Sequence, residues 1–213
     1  MSISLNLVDA DASIKKDIEK AMFEEISVII DARVKNVKKR LQNLIPSWVE
    51  SSPEVQSLRG GNLPQSLGAQ IGLVPAKAES AINDIVNAIS KSIEVKVIKG
   101  SKLQDIKINM SFQPSDFKNI LAIPDASIVA EGGQSLEWIN WLLFAGTKTI
   151  VYGFSYEPDT SFGRTGGGFM AFGGAWRIPP EFAGNDNNNF ITRMFVGREK
   201  EISKVVDSIF AGL

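Results

Sequence analysis

Between residues 14 and 45 apolar side chains recur mostly three and four positions apart: Ile14, Ile18, Met22, Ile26, Ile29, Ile30, Val34, Val37, Leu41, Leu44 and Ile45. This is the rhythm of an amphipathic helix. Asp11 or Ser13 can cap its start through a short side-chain oxygen. Pro46 predicts its end, so the helix is expected over about 12–46. At 1.5 Å per residue it is roughly 50 Å long, more than one domain of this size can cover. Part of its stripe is therefore expected to pack on another subunit. Ahead of it, Ile3, Leu5 and Leu7 alternate with Ser2, Ser4 and Asn6, the period of a short strand or extended arm.

Residues 46–75 lose this rhythm among prolines, glycines and serines. They read as turns with short helical pieces, in which Trp48, Leu58, Leu63 and Leu67 anchor the core. Pro75 suits the first turn of a second helix, whose apolar face is Ala78, Ile82, Ile85, Val86 and Ile89. The period then falls to two. Ile93, Val95 and Val97 predict one strand, and Ile106, Ile108, Met110 and Phe112 predict its hairpin partner. Short helices are expected over Pro114–Leu121 and Gln134–Phe144, the latter ending near Gly146. Ile150–Phe154 and Phe169–Phe172 predict a second hairpin. Its glycine-rich loop, about 155–168, is expected to be a mobile tip. A last helix is expected from about Asn189, breaking at Gly197 and closing with Ile202, Val205, Val206, Ile209 and Phe210. The expected fold is α+β: a long N-terminal helix, one antiparallel β-sheet of hairpins packed by helices, and a C-terminal helix, all in a single domain over 1–213.

Composition narrows the chemistry. Lysine and arginine number 23 and aspartate and glutamate 24, so a net charge of −1 gives no global field for nucleic acid. There is no cysteine and no histidine. Disulfides, thiolate metal sites and a histidine-based hydrolase triad are excluded. No apolar run approaches a membrane span, and the first residues do not resemble a signal peptide, so a soluble protein made in a cytoplasm is expected.

The motifs that invite a chemical reading have plainer ones. Gly166-Gly167-Gly168 lacks the spacing of a phosphate loop and a following helix. Asn185–Asn189 resembles a calcium loop only in composition, and reads better as a polar turn leading to an Asn helix cap. Asp9 with Asp11, and Glu24 with Glu25, lack a surrounding ligand set. Arg33, Lys35, Lys38, Lys39 and Arg40 form a basic helix end, which reads as a solvated or partner-facing surface. Contact with DNA or an acidic neighbour is the alternative. Trp138 and Trp141 share a helical face and serve either core or interface. No metal ligands, cofactor site or catalytic pair emerges.

Three ordered segments resemble the neck and tail-completion proteins of tailed bacteriophages. The first is Leu44-Ile45-Pro46 followed by Gly60-Gly61-Asn62-Leu63-Pro64-Gln65-Ser66-Leu67. The second is Trp141-Leu142-Leu143-Phe144-Ala145-Gly146-Thr147. The third is Ile178-Pro179-Pro180 followed by Phe190-Ile191-Thr192-Arg193. Residues 68–92 read as an insertion in that pattern. The resemblance implies a non-catalytic ring subunit of the virion at the head-to-tail junction, assembled in the host cytoplasm. It implies a homo-oligomer, sixfold by preference, against neighbouring neck, portal-adaptor or tail proteins, with no membrane partner. Candidate subunit-interface residues are Phe162, Arg164, Phe169, Trp176, Arg177, Phe190 and Arg193. Lys35, Lys38, Lys39 and Arg40 are candidates for facing the DNA path or a partner, where contact with DNA would be non-specific. Two other readings stay open: a carboxylate-using enzyme, and a tail accessory that binds a host or tape-measure protein.

Overall fold

The computed structural model describes residues 11–100, 106–129, 133, 135–159 and 161–211. The strand or arm expected over residues 2–7 lies outside them. The fold is α+β, with a long first helix, small antiparallel hairpins and a C-terminal helix.

Helix α1 runs Asp11–Glu50, 40 residues, and passes through Pro46. The expected stop at Pro46 is therefore corrected. A proline inside a helix removes one hydrogen bond and costs about 3 kcal/mol. Here Leu41, Ile45, Trp48 and Val49 bury completely on both sides of it, and Pro46 itself faces solvent. At roughly 2 kcal/mol for each fully buried large side chain, packing of the last turn outweighs the lost bond. Helices α2 (Pro53–Arg59) and α3 (Leu67–Ile71) follow. Trp48, Leu58 and Leu67 are core anchors as expected, whereas Leu63 is exposed. α4 (Pro75–Ser92) begins on its proline and buries Ala78, Ala81, Ile82, Ile85 and Ile89 against α1.

Strands β1 (Glu94–Ile98) and β2 (Lys107–Ser111) pair antiparallel, with Val95 opposite Met110 and Val97 opposite Ile108. α5 (Lys118–Leu121) is shorter than expected, because Phe117 before it takes a left-handed backbone conformation. β3 (Ile128–Val129) and β4 (Ser135–Leu136) make a minimal ladder. α6 (Trp138–Asn140) widens at once into a π-helical turn over Trp141–Ala145. The two tryptophans consequently diverge. Trp138 is fully buried and its Nε1 donates to Asp125 O at 2.7 Å, while Trp141 meets Trp176 edge-on at 5.9 Å.

β5 (Val151–Pro158) and β6 (Gly168–Trp176) form the third ladder. The strands thus make three separate two-stranded ladders rather than one continuous sheet. α7 (Phe190–Phe195) and α8 (Glu199–Phe210) are separated at Gly197, whose φ of 78° supplies the break. α8 lies along α1. Arg33 Nη1 donates to Ile209 O at 2.8 Å, and Arg40 Nη1 to Ser208 Oγ at 3.0 Å. Part of the basic end of α1 therefore caps the negative end of α8.

Candidate functional site

Among the described residues two apolar surfaces remain uncovered. The first is on α1. Within residues 14–34 this helix is apolar on two sides. Phe23, Ile26, Ile30 and Val34 turn toward the body, and Ile30 and Val34 are buried. Ile14, Ile18, Met22, Val28 and Ile29 are exposed; Ile18 retains 55% of its surface and Val28 70%. At 3.6 residues per turn the second set lies roughly 150° round the axis from the first. A helix apolar on both faces is one that is covered on both faces. Among the described residues the body covers only one. Glu25 stands inside the outward stripe, with Asp17 and Glu24 along one edge and Lys15 along the other.

The second surface is a groove beneath β5 and β6. Both ends of this ribbon are fastened. At one end, Trp176 is buried against Trp141 and its Nε1 donates to Gln70 Oε1 at 3.1 Å. At the other, the loop folds back onto the turn before α3. Tyr156 Oη donates to Gly167 O at 2.7 Å. Gly167 lies so close to Ala69, Leu63 O and Gly61 O that a Cβ would meet them at 2.5, 3.1 and 3.2 Å. The loop expected over 155–168 is thus corrected in its bounds and in its packing. Residues through Pro158 are strand, and Thr165, Gly167 and Gly168 are buried. At Gly167 glycine is needed for close approach. Desolvation also pushes the Tyr156 hydroxyl above its ordinary pKa.

Between its two fastenings the ribbon spans a groove of about 1360 Å³, lined among others by Leu136, Trp141, Tyr152, Phe154, Phe169 and Met170. That exceeds the roughly 300–1,000 Å³ of small-molecule sites. Among the described residues its lining carries one carboxylate, Glu137, and one cation, Arg164. A two-carboxylate mechanism is not assembled there. Arg164 donates to two neutral acceptors, Gly72 O at 3.3 Å and Val129 O at 3.5 Å. Among the described residues it has no carboxylate partner. Phe172, directly opposite Phe154 across the ladder, is 90% exposed and meets its ring at 4.9 Å.

The candidate interface residues divide. Phe162, Arg164, Phe169 and Arg177 are exposed, and Phe162 meets Phe169 edge-on at 6.0 Å. Trp176 and Phe190 are core residues and cannot be offered to a neighbour. Arg193 is engaged within the subunit. Its Nη2 donates to buried Glu54 Oε1 at 2.5 Å and its Nη1 to Ala183 O at 3.2 Å. Of the basic residues, Lys35 and Lys39 are exposed, Lys38 is half-buried and Arg40 serves α8. Asn185 Oδ1 accepts from the backbone N–H groups of Asn187 and Asn188, each at 3.0 Å, so the Asn-rich stretch is a polar turn. Asn189 caps α7. Among the described residues no group of three or more acidic side chains could hold a metal ion, and no helix is long and apolar enough to cross a membrane.

The outward stripe of α1 was missed as a separate face because one list of apolar positions mixed its residues with the core-facing ones. Helical angle would have separated them. No family model matches this chain, and neither a curated protein nor a solved structure does.

Proposed function

We propose that this chain is a structural ring subunit at the head-to-tail junction of a tailed bacteriophage, in the neck or at tail completion, with no catalytic step of its own. The observation that carries the reading is the second apolar face of α1. A lone subunit leaves Ile14, Ile18, Met22, Val28 and Ile29 in water, a contiguous patch of the kind that marks an interface. An assembly of copies, sixfold by preference, covers it. Exposed Lys35 and Lys39 on the same helix suit a ring whose bore passes DNA, because they act on phosphates without reading sequence. The three segments behind the resemblance support the same assignment. They fall at the end of α1, at the π-helical turn, and at the proline bridge into α7.

The test is electron microscopy of lysates from a phage unable to make this chain. Filled heads and separate tails are expected. Normal tailed particles would overturn the assignment.

A further inference from the structure

We infer that the two uncovered surfaces are halves of one contact, in which the N-terminal half of α1 from one copy lies in the groove beneath β5 and β6 of the next. This rests on the ring reading above and specifies its interface.

Shape and chemistry both favour this occupant. The groove has more volume than a small ligand needs and is walled by Leu136, Trp141, Tyr152, Phe154 and Met170. A helix side chain ridge such as Ile14, Ile18 and Met22 fills that kind of surface. The charges match as well. Glu25, in the outward stripe of the helix, meets Arg164, which has no carboxylate of its own among the described residues. Lys15 on the opposite edge meets Glu137. Among the described residues neither half is cancelled internally, which leaves both available across an interface.

Pairing of α1 with α1 fits worse. In a parallel pair Glu25 opposes Glu25 in the middle of the apolar stripe. Like charges at facing positions destabilise helix pairs. A contact between two unlike surfaces of the same chain is head-to-tail, and such contacts close into rings when their rotation allows.

The chain has no cysteine, which makes site-directed cross-linking clean. Full-length Ile18→Cys and Met170→Cys proteins, each confirmed folded by circular dichroism, are oxidised mildly alone and as an equal mixture. The mixture is expected to give a disulfide-linked dimer and neither protein alone should. A second pair, Met22→Cys with Tyr152→Cys, guards against one pair of Cβ atoms lying outside disulfide range. Charge reversal adds an independent readout. Glu25→Arg and Arg164→Glu should each weaken assembly by about tenfold or more, with recovery when the two proteins are mixed. Native mass measurement runs on every sample. An oligomer in which neither mixed pair cross-links overturns this contact and leaves the ring reading standing. Cross-linking of Ile18→Cys to itself overturns it in favour of α1 pairing. A monomer throughout overturns both.

Discussion

Arg193 ties together stretches that are far apart in the chain. Its guanidinium meets Glu54, 139 positions away, and also the carbonyls of Phe182 and Ala183. Glu54 is 3% exposed and its other oxygen accepts from Ser52 Oγ at 2.6 Å. Arg193→Ala leaves that carboxylate buried without its cation, so a loss of about 3 kcal/mol is expected, at the lower end for a broken buried pair because Arg193 is partly solvated. Urea denaturation measures it, and the double change Glu54→Leu with Arg193→Met should recover most of the loss. Glu201 gives a pH dependence. Trp48 Nε1 donates to it at 2.8 Å and Arg198 pairs with it, which together hold its carboxyl below the ordinary glutamate value of 4.5. A carboxylate depressed by folding stabilises above its unfolded pKa, and that contribution is lost as pH falls through its folded pKa. The gap in urea midpoint between wild type and Glu201→Gln should therefore be open at neutral pH and close under acid. A gap that persists at low pH would show the contact to be something other than charge-dependent. Asn189 as a helix cap was legible at this scale, because a cap is a local device. Arg193 was not. Its partner lies on α2, and no sequence spacing connects them.

At the scale of elements, periodicity located most helices and strands and punctuation located fewer of their ends. Pro75 and Gly197 mark true boundaries. Pro46 does not, because the core beyond it at Trp48 and Val49 outweighs a lost hydrogen bond. Pro46→Ala restores that bond at an exposed position and is expected to raise stability by about 1–3 kcal/mol, read from the thermal or urea midpoint. A decrease would mean that the last turn is packed around the proline. The cap of α7 is testable in the same way. Asn189 is fully buried and its Oδ1 accepts from Ile191 N and Thr192 N, each at 3.1 Å. Asn189→Ala should cost about 1–2 kcal/mol. The second hairpin was legible as a strand pair, yet its loop was misread. Glycines that allow close packing and glycines that allow mobility look identical in sequence. Only the neighbours of Gly167, namely Gly61, Leu63 and Ala69, distinguish the two.

For the molecule as a whole, the α+β class and an overlong first helix were legible from residue patterns. The three ladders were predicted as one sheet because strand period does not say which strands pair. The groove was not legible at all. It is made by α3, β4, the π-helical turn and both strands of the ribbon, and no motif spans them. What the sequence did contain was the second apolar stripe of α1, and it is this face that makes assembly the central claim. Native mass measurement of the full chain, with Ile14→Ser, Ile18→Ser and Met22→Ser combined as the comparison, tests it most directly. These three side chains lie on the exposed side of α1, so the variant should fold and melt close to wild type. The account predicts a closed oligomer for the natural chain, alone or as released from particles, and a monomer for the variant. A natural chain that is monomeric in both settings, or a variant that assembles as well as the natural chain, would contradict it.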